Sequence, residues 1–381
     1  MISDTFNNIL SLKNHIQPFI WDALYPFIIM QYIKLSPMYS IRGNFISPNR
    51  FLTNVIFCLL TAAGFVCFIY FAYASVWSIN KISPFLLICF ELLDILYALG
   101  FLVNAAVVIY ISRVNVDLVI RLGKIQNNLK MKDNVMRRVI IENWILCFLI
   151  LLYHLINTFI QIFYVFTSYV LIFLTIIIFL SWDVNIIYAA RMMCLLRRQT
   201  DSWILNMKSM LNGRYSSEMF DKFNWQALLK TYLIITDSYT YCERITESPI
   251  IYHVIIAFAQ FIIHIQTLID ASAYLVKGTF VFFFLFALWI IKHTVLMLLV
   301  CFESEKLYTS LKNSQVVCFG TIYGNHSDFG RLICKRLRKD AQCKLQPITA
   351  RGLFTVNLTL PLNISAIVVT YMFVMLQFNF L

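Results

Sequence analysis

The sequence predicts an all-α polytopic membrane protein with seven transmembrane helices, and two observations support this. Apolar residues make up 60% of the 381 residues and charged residues only 13%, whereas soluble domains carry about 25% charged residues. The apolar residues are also gathered into long stretches, so too few polar side chains remain to cover a water-facing surface. These observations exclude a soluble enzyme, a disordered chain and a disulfide-rich scaffold.

Seven stretches are long and apolar enough to cross a membrane. A helix needs about 20 mostly apolar residues to cross about 30 Å of hydrocarbon. The stretches lack the alternating pattern of outer-membrane strands, which indicates helices. We treat residues 1–381 as one transmembrane domain. The predicted spans cover about residues 51–75, 84–111, 143–164, 167–190, 250–273, 278–301 and 353–379.

Residues 17–40 form a further apolar stretch that is interrupted. Three prolines lie within it, and Asp22 and Lys34 flank its apolar run from Ala23 to Ile33. Roughly 11 uninterrupted residues are too few to span a bilayer. We therefore expect an interfacial or re-entrant segment packed under the bundle, with an eighth span as the alternative.

Basic residues predict the orientation of the chain. Four of the 31 lysines and arginines lie in residues 1–50, seven in 112–141, eight in 191–249 and nine in 302–351. Positive charge stays on the cytoplasmic side of a membrane, so the N-terminus and these long segments are expected inside. Seven spans then place the C-terminus outside. This distribution explains the net charge of +12 by the bilayer as partner, and it argues against nucleic acid.

The sequence carries no pattern typical of catalysis or cofactor binding. There is no Gly-rich phosphate loop, no HExxH motif and no nucleophile elbow, and the six histidines lack metal-ligand spacing. We therefore expect no enzyme activity, no cofactor and no metal. The ten cysteines include no CxxC pair, and we expect no structural disulfide.

Polar side chains inside the spans are the candidates for function, because burying them in hydrocarbon is costly. Several follow helical spacing in the outer halves of their spans. Such groups can simply bond one another and fix helix register, or they can line an outward-opening pocket. For the set as a whole we favour the pocket, whereas Asp183, in an inner half, is assigned a structural role. The ligand candidates are Glu91, Asp94, Tyr97, His154, Asn157, Gln161, His264, Thr267, Asp270 and Trp289.

A basic run follows the sixth span. Residues 331–339 read RLICKRLRK and predict a basic helix. Such a surface usually faces solvent or lipid headgroups, and a partner-binding role is the alternative. Residues 218–247 predict a helix that continues into the fifth span.

The last span carries a recognisable signature. Residues 370–378 read TYMFVMLQF, which resembles the TYhhhhhQF signature of insect gustatory receptors, where h is any hydrophobic residue. Residues 350–369 also resemble the segment that leads into that signature. Resemblance at the level of motifs covers only about 350–379, while spans, loops and topology match over the whole chain.

The resemblance implies a tastant-gated, nonselective cation channel. Members of that family assemble as tetramers with the seventh span of each subunit around a central pore. By the resemblance we expect this chain to form a homotetramer in the plasma membrane of gustatory receptor neurons. Residues 191–249 and 302–351 would form the cytoplasmic anchor between subunits, and a heteromer with other gustatory receptors stays open. The small-molecule tastant would bind in the outer half of each bundle. By the resemblance, the gate and pore residues are Gln377, Phe378, Thr370 and Tyr371.

The tastant is expected to be a bitter or plant secondary compound. Sugar receptors of the family commonly have Glu after the TY pair, where this sequence has Met372. The candidate carboxylates could pair with an amine, and Trp289 or Tyr97 could stack on a ring or cation. A fructose-type sugar receptor is the alternative within the family. A G-protein-coupled receptor and a transporter are the alternatives outside it, although the predicted orientation argues against the first and the absence of internal repeats against the second.

Overall fold

The structure is a computed structural model that describes residues 16–43, 45–76, 84–131, 133–165, 169–211, 218–274, 279–323 and 328–380. The described residues are almost entirely helical, which confirms the all-α prediction. One small antiparallel hairpin follows the first helix. The elements are α1 (Pro18–Ile33), β1 (Ser40–Arg42), β2 (Phe45–Ser47), α2 (Phe51–Val76), α3 (Pro84–Leu129), α4 (Asp133–Val165), α5 (Tyr169–Leu211), α6 (Glu218–Tyr274), α7 (Thr279–Tyr323), α8 (Asp328–Lys344) and α9 (Thr359–Phe380).

Helices α2 to α7 are each long and apolar enough to cross a membrane. The apolar part of α9 that qualifies on its described side chains, Thr359–Val374, is shorter. Each of the seven predicted stretches overlaps one of these seven helices. The last helix begins at Thr359 rather than near residue 353. Residues 353–358 are partly apolar, which explains the earlier predicted start, but they form an irregular turn.

Helix α1 packs against α4 and α5 of the bundle. It has 16 residues, fewer than a span requires. Its side chains Ile20, Leu24 and Phe27 are buried, and the Asn143 side chain of α4 donates a hydrogen bond of 2.6 Å to the Ala23 carbonyl. This length and packing favour the non-spanning interpretation of residues 17–40.

Lys34, just after α1, is fully buried and joins a polar network inside the bundle. Its Nζ donates to the Asn185 Oδ1 atom and, over 3.3 Å, to the Ser181 carbonyl. Asn104 of α3 donates 2.6 Å to the Ser181 hydroxyl. Burial lowers the pKa of Lys34 to about 7, because a desolvated ammonium is disfavoured and no carboxylate is among these contacts.

Four helices extend well beyond the thickness of a bilayer. Helix α6 has 57 residues, which corresponds to about 85 Å, and α3, α5 and α7 have 46, 43 and 45 residues. Their extensions pack together into what we call the basic end, formed by the described residues within 112–141, 191–249 and 302–351. Trp203 lies fully buried there and donates 3.0 Å to the Leu228 carbonyl.

The predicted basic helix is present as α8, which packs against α6 and α7. Ile333 and Leu337 face the core, and Arg338 lies 5.0 Å over the ring of Phe319. Lys335 and Arg336 are exposed. The amphipathic pattern explains how a strongly charged helix packs on the bundle with one face only.

Helix α9 leaves much of its described surface uncovered. It contacts α6 and α7, yet Leu362, Ile367 and Phe373 are 70%, 55% and 58% exposed. Asn357 caps it, since its side-chain oxygen accepts from the Thr359 N–H at 3.2 Å and from the Thr359 hydroxyl at 2.6 Å. Apolar side chains exposed in a single chain are available for lipid or for other subunits.

Candidate functional site

Three ionisable side chains from three helices meet in the centre of the bundle. The Asp183 Oδ2 atom of α5 lies 2.9 Å from the Lys292 Nζ of α7 and 2.9 Å from the His154 Nε2 of α4. Their side chains are 3%, 5% and 2% exposed. An unpaired charge in this environment would be strongly unfavourable, so the carboxylate and the ammonium stabilise one another. We call these three residues the charged triad.

Aromatic rings surround the charged triad on one side. The Lys292 Nζ lies 4.3 Å from the ring centroid of Trp289 and 5.8 Å from that of Tyr153, so both rings interact with the ammonium as π systems. Phe179 packs edge-on against Trp289 with centroids 4.9 Å apart, and Tyr97 lies 4.1 Å from Phe179. The rings come from α3, α4, α5 and α7.

Several buried polar atoms near these rings have unused hydrogen-bonding capacity. Buried polar groups are normally paired, so unpaired ones mark positions where a bound molecule or a water could form hydrogen bonds. His264 stacks on Phe286 with centroids 4.3 Å apart, and neither of its ring nitrogens has a partner. The other atoms are the hydroxyls of Tyr97 and Tyr153, Asn157 Oδ1, Gln260 Oε1 and both ring nitrogens of His293.

The structure brings together only part of the predicted ligand set. Tyr97, His154 and Trp289 belong to the charged triad and its aromatic surroundings. Asn157 lies one turn from His154 on α4 and is buried. His264 of α6 stacks on Phe286, which lies one turn before Trp289 on α7. Together they form the candidate site, which combines aromatic walls with a small number of polar groups, as ligand sites commonly do.

Other predicted ligand residues stand apart from this site or outside the description. Glu91 and Asp94 are half-buried and lie about two turns and one turn from Tyr97 on α3. The Thr267 hydroxyl donates 2.7 Å to the Ile263 carbonyl of its own helix, so its hydrogen bond serves the backbone. The side chains of Gln161 and Asp270 lie outside the described residues.

Sequence reasoning missed two central residues. Lys292 lies inside the sixth span and was not singled out, although a lysine at such a depth is costly enough to mark it. Asp183 was assigned a structural role, and its position between Lys292 and His154 agrees with that role while also placing it in the floor of the site. Phe179 and Tyr153 carried no signal, because aromatic residues are common throughout the spans.

The predicted pore residues lie on α9, separate from the candidate site. The Thr370 hydroxyl is exposed and donates 2.9 Å to the Ala366 carbonyl. Tyr371 is half-buried and Gln377 is exposed. The side chain of Phe378 lies outside the described residues. A groove of about 400 Å³ lies at the basic end between α5 and α7, and none of the predicted ligand or pore residues lines it.

Comparison with known proteins gives a result at the level of the fold. No protein-family model and no curated protein matches the sequence. The structure of the insect olfactory receptor OR5 from Machilis hrabei superposes with a TM-score of 0.69 at 16% identity, covering 93% of this chain and 98% of that one. The chain has the fold of an insect olfactory receptor.

The same receptor was also solved in complex with eugenol. That structure superposes with a TM-score of 0.67 at 14% identity and covers 95% of this chain and 100% of that one. Coverage this complete means that the shared fold extends over most of the chain. At an identity this low, the similarity applies to the fold and says nothing about which ligand this chain binds.

Proposed function

We propose that the chain is a gustatory receptor, a tastant-gated nonselective cation channel. The observation that carries the proposal is the superposition on an insect olfactory receptor over 93% of the chain. The TYMFVMLQF segment at the end of α9 supports the gustatory rather than the olfactory branch. The candidate site would then provide polar and aromatic contacts for a small molecule, and α9 would provide the helix that lines a pore.

The pore of this channel would be lined by α9 of four identical subunits. The exposed apolar side chains of α9 leave this helix available to other copies of the chain. Phe378 would close the outer part of the pore by excluding water, and a small helix rotation that presents Gln377 would rewet it. Thr370 and Tyr371 would lie lower on the same pore helix. The basic end would provide the cytoplasmic anchor between subunits.

An amine of plant origin is the proposed class of tastant. The charged triad holds one carboxylate and one ammonium, so an additional cation needs a further acidic group. Glu91 and Asp94, on the helix of Tyr97, could supply that charge, and Trp289 could stack on an aromatic ring. A fructose-type sugar receptor is the second candidate, favoured by the unused hydroxyls and amides near the site.

The direct test is a recording from excised patches of cells that express this chain alone. Three compounds are applied with no nucleotide present: the aromatic amine quinine, eugenol and fructose. Ligand-evoked unitary cation currents are expected, because the proposed channel needs no G protein. Saturable uptake of a labelled compound by whole cells, without unitary currents in the patches, would favour a transporter.

Orientation separates the proposed function from a G-protein-coupled receptor. An epitope at the C-terminus should be accessible in unpermeabilised cells, since the basic end is placed in the cytoplasm. An epitope at the N-terminus should become accessible only after permeabilisation. The reverse pattern would contradict the proposed topology, with the N-terminus in the cytoplasm and the C-terminus outside the cell.

Neutralising Glu91 and Asp94 together tests the class of ligand. The Glu91→Gln/Asp94→Asn variant should raise the EC50 for quinine by about tenfold or more, because a hydrogen bond between a bound ammonium and a carboxylate contributes about 1.5–3 kcal/mol. The EC50 for a neutral agonist such as eugenol should change by less than about threefold, because a substitution that removes no interaction with the ligand changes a free energy by about 0.5 kcal/mol or less. Equal effects on both ligands would contradict the amine assignment.

A further inference from the structure

Four side chains hold the segment that leads into the proposed pore helix. This segment, residues 345–358, joins α8 to α9 and is called here the linker. Tyr239, Glu243 and Glu247 contact it from α6, and Glu305 contacts it from α7. We call these four residues the linker clamp. The three residues on α6 follow at intervals of four, so they form one stripe on one face of that helix.

The first half of the linker is bound by the first two members of the stripe. The Tyr239 hydroxyl donates 2.5 Å to the Gln346 carbonyl. Glu243 Oε1 accepts from the Thr349 N–H at 3.3 Å and from the Thr349 hydroxyl at 3.4 Å. These contacts bind mainly the backbone of the linker, so they fix its path along α6 rather than the identity of its side chains.

The second half of the linker is bound by one contact from each helix. The Glu247 carboxylate lies 3.8 Å from the Arg351 guanidinium at the tip of the turn, where Arg351 has a φ of +51°. Glu305 Oε2 accepts from the Leu358 N–H at 3.1 Å. Because Leu358 directly precedes Thr359, the last contact holds the base of α9 to α7. A carboxylate also complements the positive end of a helix at this position.

The two helices that carry the linker clamp also carry the candidate site. Helix α6 carries Glu247 of the linker clamp and His264 of the candidate site, with Pro249 between them. Helix α7 carries Lys292 of the charged triad and Glu305 of the linker clamp. These two residues are 13 positions apart, or about 20 Å along the helix axis. A helix transmits a displacement along its axis as a rigid element, so a shift at the candidate site reaches the linker through α7.

We propose that the linker clamp couples ligand binding to the pore helix, with Glu305 as the positioning residue at its moving end. This role rests on the proposed function. Pro249 removes one backbone hydrogen bond of α6 just above the stripe and allows the part below it to stay in place while the part above it tilts. Helix α7 contains no proline. A relative movement of the two helices is therefore delivered to the linker and to the start of α9.

Replacement of Glu305 tests the coupling in single-channel recordings. Glu305→Ala removes the acceptor of the Leu358 N–H, whereas Glu305→Gln keeps an acceptor oxygen without the charge. For the compound that opens the wild type in the panel above, Glu305→Ala should lower the maximal open probability and raise the EC50 by roughly threefold to tenfold, the range of one ordinary hydrogen bond at an exposed position. The Gln variant should recover part of both. Unitary conductance and surface expression should stay unchanged.

Arg138→Gln is the matched control. It breaks an ion pair of similar length, 3.0 Å, to Glu142 within α4, and neither residue is among those that contact the linker. Its open probability should equal that of the wild type. A conducting Glu305→Ala variant with wild-type open probability and EC50 would overturn the coupling role and leave the proposed function standing. A wild type that is silent with every compound would overturn the proposed function and the coupling role with it.

A charge exchange supplies an independent measurement on the fixed end of the linker clamp. Glu247→Arg and Arg351→Glu each place like charges opposite one another, so each should shift the EC50 in the same direction as Glu305→Ala. The double variant restores the pair in reverse and should return the EC50 to within about twofold of the wild type. Single variants without a shift, or shifts that simply add in the double variant, would contradict coupling through this contact.

Discussion

The charged triad gives the sharpest prediction about stability. Asp183→Asn preserves the size of the side chain but leaves the Lys292 ammonium, 5% exposed, without its carboxylate. Breaking a buried ion pair from one side costs about 3–5 kcal/mol. With an unfolding entropy of about 2.1 cal/mol/K per residue, the 381 residues give about 0.8 kcal/mol/K. The expected fall in Tm is therefore about 4–6 °C.

Thermal unfolding of purified protein in detergent, followed by tryptophan fluorescence, measures this fall. The control is Arg331→Gln, which removes an ion pair to Asp328 whose side chains are 38% and 99% exposed and should change Tm by less than about 1 °C. The double variant Asp183→Leu/Lys292→Met removes both charges and should recover most of the loss. An Asp183→Asn variant as stable as the control would refute the argument that the carboxylate compensates the buried ammonium.

Three further predictions concern other parts of the chain. Gln377→Ala and Phe378→Ala should alter ion selectivity or gating with surface expression retained, and normal currents from both would remove the pore assignment. Gly100→Ala should lower the folded yield, because the added Cβ would overlap the Tyr252 ring at a cost of about 1–3 kcal/mol; wild-type Tm in this variant would contradict that close approach. Between pH 7 and 10 the Tm should rise with pH, because the unfolded chain holds the Lys34 proton up to about pH 10.5 and the folded chain only to about 7. Lys34→Met should remove this rise, and an unchanged slope would contradict it.

The sequence was sufficient for the architecture because the architecture depends on composition and periodicity. Hydrophobic stretches of span length predicted helices, and the prolines near α1 predicted a short segment. The start of α9 was predicted too early, near residue 353, because Leu353, Phe354 and Val356 are as apolar as a span. The signals that set the start at Thr359 are local and polar, namely the turn at Gly352, with a φ of +73°, and the cap at Asn357.

The candidate site was only partly predictable because its contacts join distant parts of the chain. Helical spacing placed His154 and Asn157 on one face of α4, and that prediction needed only local geometry. The pairing of Asp183 with Lys292 joins residues 109 positions apart, and no spacing rule reveals it. Thr267 shows the opposite error, since a polar residue on the correct face bonds its own backbone. Depth in the bundle, rather than spacing, separates these cases.

The linker clamp illustrates a third limit of sequence reasoning. Tyr239, Glu243 and Glu247 lie at helical spacing in a segment rich in polar residues, where a stripe of this kind usually faces solvent. Only the position of the linker beside α6 distinguishes these residues from an ordinary solvated surface. Glu305 is exposed and would be passed over for the same reason.

Reconstitution of the purified chain in planar bilayers tests the central claim most directly. With no other protein present, quinine or another compound of the panel should evoke unitary currents that reverse near 0 mV in mixed sodium and potassium and follow the cation gradient when the salt is diluted on one side. Currents that need no second protein would establish a self-sufficient ligand-gated cation channel. A bilayer that stays silent although the protein is folded, or currents that follow the chloride gradient, would contradict the claim.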